Sequence, residues 1–124
     1  MEQTTQRNFI LGDHWLFFKI YTGYKTSDKI LTEVIKPVAT SLQKANVISQ
    51  WFYIRYADPQ HHIRVRFYLP DPAKIGLVIQ QLRPYFQHFM NEDLIWKVQT
   101  DTYEREIERY GVNTIELVQW GLSS

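Results

Sequence analysis

Residues 51–67 read WFYIRYADPQHHIRVRF, and the parsing of this stretch decides the fold. Aromatic and β-branched residues dominate both halves, and their character alternates as on a strand. Trp51, Tyr53 and Arg55 share one face, and His62, Arg64 and Arg66 share another. Asp58-Pro59-Gln60-His61 between them has the composition of a turn. Two strands joined in this way form a hairpin. The hairpin is expected to gather Arg55, Arg64 and Arg66 on one surface. Like charges facing each other across strands repel. Such a cluster therefore calls for an anion, from a ligand or from the protein's own carboxylates. Ion pairs from a solvated strand face to Asp58 or Asp101 would meet the same need. The aromatic residues around the cluster (Trp51, Phe52, Tyr53, Tyr56, Phe67 and Tyr68) restrict solvent there and so strengthen charge-assisted bonds.

Outward from the hairpin, Trp15–Tyr21 (WLFFKIY) reads as a strand ended by Gly23. Ser27-Asp28 is placed to cap a helix, and Ile30, Leu31, Val34, Ile35, Val38 and Leu42 follow at helical spacing. Pro37 falls inside that pattern and predicts a kink or break near Lys36. Pro70-Asp71-Pro72 stops the second hairpin strand. Asp71 then serves as the cap, and Pro72 as the first position, of a helix whose stripe is Ile75, Val78, Ile79, Leu82 and Phe86. Leu94–Thr100 reads as a fourth strand. Tyr103–Tyr110 reads as a helix closed by Gly111, and Thr114–Trp120 as one more short helix. The order is β-α-β-β-α-β followed by short C-terminal helices. This predicts an α+β, ferredoxin-like fold, an antiparallel sheet with helices on one face. That fold hosts many functions and settles none.

The 124 residues suit one domain, and a hydrophobic share of 44% gives that domain a core to bury. Fourteen basic residues against 13 acidic leave a net charge of +1. Any anion site must therefore come from local placement, not from a global pull toward nucleic acid or membrane. The absence of cysteine excludes disulfides, thiolate metal sites and a cysteine nucleophile. No apolar run approaches the roughly 20 residues a membrane helix needs. MEQTTQRNFI lacks the order of a secretory signal. A cytoplasmic protein with no membrane partner is expected. His61 and His62 are adjacent on a strand and point to opposite faces, so they do not share a metal ion. His14 and His88 have no ligand partners at useful spacing. There is no Gly-rich phosphate loop, nucleophile elbow or dinucleotide fingerprint, so no cofactor is expected. Aromatic strands in this order are similar to those of the RNA-recognition motif. However, IRVRFYL lacks the glycines of that motif's strand, and no direct contact with nucleic acid is expected.

The segment 101–111, DTYEREIERYG, repeats charges at helical spacing. Arg105–Glu108 and Glu106–Arg109 are i, i+3 pairs, each worth roughly 0.2–0.5 kcal/mol on an exposed helix turn. Together, WFYIRYADPQHHIRVRF and DTYEREIERYG resemble the C-terminal domain of class I lanthipeptide dehydratases. The same domain occurs alone in thiopeptide-type bacteriocin biosynthesis proteins. The resemblance runs from about Trp15 to Gly111. It implies a lyase that eliminates glutamate from glutamylated Ser/Thr of a precursor peptide, leaving dehydroalanine or dehydrobutyrine. It also implies residue roles. Arg64, Arg66 and Arg105 correspond to catalytic arginines that hold glutamyl carboxylates or a developing oxyanion. Arg109 is the less favoured choice for the role of Arg105. With Arg109, His62 and Tyr103 are its supporting, substrate-binding groups; Arg55 joins the substrate-binding set from the hairpin reading alone, and His62 is able to donate a proton or to orient a bound group.

This sequence departs from the family in places. The family domain is much longer and carries a further histidine in its C-terminal half, and it reads Y-G-G where this chain has Tyr110-Gly111-Val112. Residues 1–124 are therefore expected to be a single domain forming the N-terminal half of a longer elimination-type domain. The partners implied are a glutamylated or dehydrated precursor peptide and a glutamyl-tRNA-dependent glutamylation protein. The aromatic strands suggest a second copy of the chain as a further partner. Pyridine-forming cycloaddition and non-catalytic precursor binding are the alternatives that these residues leave open.

Overall fold

The computed structural model describes residues 8–57, 60–101, 103–104 and 116–120. Its elements run β1 (Asn8–Phe9), β2 (Trp15–Thr22), α1 (Tyr24–Ile30), a π-helical turn (Leu31–Ile35) and α2 (Lys36–Lys44). There follow β3 (Gln50–Tyr56), β4 (His62–Tyr68), a short 3-10 turn (Pro72–Lys74), α3 (Ile75–Asn91), β5 (Ile95–Thr100), β6 (Tyr103–Glu104) and β7 (Glu116–Trp120). The main sheet has the order β5-β2-β4-β3-β7, and every pairing in it is antiparallel. Without β7 this is the expected split-βαβ order, with the first and third strands at the centre. The hairpin forms as read, although Asp58 and Pro59 of its turn lie outside the described residues.

The C-terminal helix expected over Thr114–Trp120 is not what forms. Glu116–Trp120 is extended and pairs with β3 from Trp51↔Trp120 to Arg55↔Glu116. A run of five residues is too short to hold a helix on its own, whereas the free edge of β3 offers a ladder of backbone partners. The helix expected over Tyr103–Tyr110 likewise begins as strand. Tyr103 and Glu104 pair with Phe9 and Asn8, which takes up their backbone groups in a ladder. The rest of that segment, and the Gly111 cap, lie outside the described residues.

The first helical segment buries all six residues of its predicted stripe. It starts earlier than expected, at Tyr24 behind Gly23, so Ser27 and Asp28 sit inside it and not at its cap. The Ser27 hydroxyl donates to the Tyr24 carbonyl at 2.7 Å, which leaves it no capping role. Pro37 has no N–H to donate, yet the chain stays helical. The widened turn at Leu31–Ile35 absorbs the mismatch in place of a break. The Asp71 carboxylate accepts from the Ala73 N–H at 3.1 Å and caps the turn into α3, as read from the sequence. α3 buries Val78, Leu82, Phe86 and Phe89. Ile79, expected in that stripe, is 39% exposed, because it lines a groove beside β5 and not the core.

Two helices end alike. After α2, Asn46 is left-handed at φ 60°, with Asn46 N–H to Gln43 and Val47 N–H to Leu42. After α3, Asp93 is left-handed at φ 61°, with Asp93 N–H to Met90 and Leu94 N–H to Phe89. Each is a Schellman termination, closed by an apolar residue just beyond.

Helices cover one side of the sheet, where Leu16, Ile20, Ile63, Val65 and Phe67 are fully buried. The other side carries a separate apolar cluster of Trp15, Phe17, Phe52 and Ile54, with Tyr56 and Tyr68 packed against it. Among the described residues, no helix is long and apolar enough to cross a membrane.

Candidate anion-binding site

β4 lies at the centre of the sheet, and its residues alternate between the two sides. Ile63, Val65 and Phe67 pack toward the helices. His62, Arg64, Arg66 and Tyr68 therefore stand on the opposite face. Aligned residues of antiparallel neighbours share a face, so the register builds rows across β2, β4 and β3. The rows are Phe17–Arg66–Phe52, Lys19–Arg64–Ile54 and Tyr21–His62–Tyr56. Each basic or imidazole side chain of β4 is thus bracketed by groups from its neighbours.

Arg66 is 1% exposed. Its guanidinium carbon lies 4.3 Å from the Phe17 ring centroid and 5.4 Å from that of Phe52. A weakly hydrated planar cation suits such a slot, where the ring faces add attraction. Arg64 is half-buried, with its guanidinium carbon 3.7 Å from the Tyr56 ring centroid. Its Nε–H donates to His62 Nε2 at 3.1 Å. Among the described residues, the two terminal nitrogens of Arg64 have no hydrogen-bond partner. They form a fork of donors suited to a carboxylate.

His62 is buried and stacked between two tyrosines, with centroids 4.7 Å from Tyr21 and 5.2 Å from Tyr56. Its Nδ1 lies 2.8 Å from the Gln60 carbonyl, which can only accept, so Nδ1 carries the proton. Burial pushes the His62 pKa below the ordinary 6.5. Arg64, Lys19 and His61 push it the same way, against the bond to Gln60. Lys19 pairs with Asp101 at 2.9 Å, and the Lys97 ammonium lies 4.6 Å from the Tyr21 ring centroid.

Several expectations change here. Arg55 does not join the cluster. It aligns with Ile63, while Ile54 aligns with Arg64, so Arg55 falls on the helix side. There it pairs with the carboxylate of Asp28 from α1. His62 is not placed to donate a proton to a ligand, because Nδ1–H is committed to Gln60 and Nε2 accepts from Arg64. It orients a neighbour instead. Trp51, Tyr53 and Phe67 belong to the helix-side core, leaving Phe52, Tyr56 and Tyr68 on the arginine face. Tyr103 lends its backbone to β6, and Arg105 and Arg109 lie outside the described residues.

The sequence reading missed the contribution of β2: Phe17, Lys19 and Tyr21. The signal was present, since these residues alternate along WLFFKIY as the arginines do along β4. A concavity of about 330 Å³ lies elsewhere, between α3 and β5. Its lining includes Ile79, Leu82, Phe86, Met90 and Val98, on the side of the sheet away from the arginines. Arg83, Gln87 and Thr100 also line it, and it shares no residue with the arginine face of β4.

Comparison with known proteins gives a consistent picture. The family model described as lantibiotic biosynthesis dehydratase C-term matches residues 15–121, which span both arginine-rich segments. Subtilin biosynthesis protein SpaB of Bacillus subtilis is 29% identical over 99 residues, which is 80% of this chain and 9% of that protein. Nisin biosynthesis protein NisB of Lactococcus lactis subsp. lactis is 26% identical over 106 residues, 85% of this chain and 10% of that protein. Among solved structures, the tRNA-dependent lantibiotic dehydratase MibB from Microbispora sp. 107891 superposes with a TM-score of 0.67 at 23% identity. That match covers 91% of this chain and 10% of MibB, and it is a likeness of fold. The chain thus spans about a tenth of the length of the curated relatives it matches.

Proposed function

This chain belongs to the lantibiotic biosynthesis dehydratase C-terminal family, and on that premise we propose that it supplies the anion-holding sheet of a glutamate-eliminating lyase. The substrate in this reading is a precursor peptide whose Ser or Thr hydroxyl has been glutamylated by a partner protein. Elimination removes the Cα proton and expels the glutamyl carboxylate from Cβ, which leaves a Cα=Cβ double bond. Negative charge builds first on the enolate and then on the departing carboxylate. Fixed cations that meet that charge lower the barrier.

The observation that carries the reading is the pair Arg64 and Arg66 on one aromatic-lined sheet face. Arg64 presents a two-nitrogen fork and is assigned to the substrate carboxylate or the developing oxyanion. Arg66, beside Phe17 and Phe52, adds positive potential on the same face. Aromatic walls exclude water and strengthen both effects. Arg105 is proposed to complete the pocket by its place in the motif. The base is assigned to a residue outside the described ones, since Nε2 of His62 already accepts from Arg64. The names of two relatives tie them to making subtilin and nisin. The same class of pathway is proposed for this chain.

The test is mass spectrometry of a pre-glutamylated Ser/Thr peptide incubated with the chain, alone and with the other biosynthetic proteins. Release of glutamate with formation of a dehydroamino acid is expected, and Arg64→Ala should slow it by about 10²–10³-fold. Unchanged turnover in Arg64→Ala would overturn the assignment. Peptide binding without glutamate release under any condition would make the chain a binding module instead.

A further inference from the structure

We propose that His62 is a positioning residue for Arg64. The imidazole is locked as one neutral tautomer, and its Nε2 fixes the guanidinium so that both terminal nitrogens face a single anion. This deepens the reading above and rests on it only in taking Arg64 as the anion's partner.

Four contacts define the lock. The Gln60 carbonyl fixes the proton on Nδ1. Tyr21 and Tyr56 hold the ring plane from either side, at interplanar angles of 27° and 12°. Nε2 then has one task, to accept from Arg64 Nε–H. Tyr56 serves twice, since its ring also lies under the Arg64 guanidinium. An arginine held at Nε and along one face has lost most of its rotamer freedom before a ligand arrives. The donors that remain are the terminal pair. Lysine could not be held in this way, because its ammonium has no separate Nε–H to surrender.

A histidine acting as general base would keep Nε2 open toward the substrate. Protonation turns Nε2 into a donor facing another donor, and it puts a second positive charge beside Arg64. Among the described residues, the charged groups around the ring are Lys19 from β2 with its partner Asp101, Arg64 from β4, and Lys97 from β5 across Tyr21. Arg66 lies further along β4, and His61 is the adjacent titratable group. These surroundings are dominated by cations and favour the neutral ring. Acidification opens the lock.

Two variants separate the roles. His62→Phe keeps an aromatic ring in the tyrosine stack and loses both hydrogen bonds. His62→Gln places an amide oxygen near the Nε2 position and cannot titrate. The first measurement is ¹⁵N NMR of the full chain near neutral pH, which does not depend on turnover. It should show His62 protonated on Nδ1 and a slowly exchanging Arg64 Nε–H. That exchange should accelerate about tenfold or more in His62→Phe, as expected for loss of a hydrogen bond from a charged group, and it should stay slow in His62→Gln. A proton on Nε2, or unchanged Arg64 exchange in His62→Phe, would overturn the proposal.

The second measurement is kcat/KM for glutamate release across about pH 5–8, the range in which histidine titrates. His62→Phe should fall about tenfold throughout. His62→Gln should keep most of the neutral-pH rate and flatten the acid limb. If Arg64→Ala leaves turnover unchanged, the reading of function fails, and the NMR result still decides whether the lock exists. If Arg64→Ala abolishes turnover while His62→Phe matches the parent at every pH, the positioning role fails and the reading of function stands.

Discussion

Arg66 and Arg64 stand two residues apart on one strand and are held by different means. Arg66 lies beside two phenyl rings, and Arg64 is tied at Nε and supported by one tyrosine. Arg66→Lys keeps the charge but loses the planar guanidinium beside the two rings. It should lower stability by about 1–2 kcal/mol in urea denaturation. His62 makes stability depend on pH. Its folded-state pKa lies below 6.5, so below that pH the unfolded chain binds more protons than the folded one. Its contribution is complete above about pH 6.5 and is lost as pH falls toward the depressed value. Urea midpoints of the parent should therefore fall on acidification more steeply than those of His62→Gln. The shared face of His62, Arg64 and Arg66 was legible because parity within one strand needs no knowledge of its neighbour. The position of Arg55 was not, because parity across a turn depends on the register of pairing. Once Arg55 aligns with Ile63, it leaves the site and finds Asp28, a partner supplied by a distant helix.

Among the elements, the four main strands and, Ile79 apart, both helical stripes followed from periodicity, because each buries one side against the same core. The exceptions have local causes. Pro37 was expected to kink or break its helix near Lys36; the chain stays helical, and the irregularity is a single widened turn over Leu31–Ile35. Neither helix end carries the glycine that usually marks a left-handed termination, so Asn46 and Asp93 gave a weaker signal. Asp93 tests that geometry cleanly, since it is exposed and its φ is 61°. Asp93→Val should cost about 1–2 kcal/mol through backbone conformation alone, read as a lower thermal midpoint with little packing change. β7 was beyond sequence reasoning for another reason. Five residues of ELVQW take their structure from the open edge of β3, which is a fact about the assembled sheet. Its pairing moves that edge of the sheet from β3 to β7.

At the scale of the molecule, one sheet separates two environments. The helix side holds the main core, and the other side holds the cations in an aromatic setting. Phe67, fully buried at the centre of the core, should cost about 3–5 kcal/mol when replaced by alanine. That is a large share of the roughly 5–15 kcal/mol that holds a domain together. Ile79→Ala, at a position 39% exposed beside β5, should change stability by only about 0.5 kcal/mol. Chemical denaturation of the two variants side by side checks both figures. β4 serves both environments, with core residues and site residues interleaved one for one along its length. The strand therefore behaves like a message protected by a parity bit. Substitutions alter one symbol and are judged singly, on one face or the other. A single-residue insertion or deletion inverts every symbol after it, sending guanidinium groups into the core and Ile63, Val65 and Phe67 out of it. Frame errors of one residue in this strand announce themselves as unfolding, so a chain that folds has its arginines on the right side of the sheet.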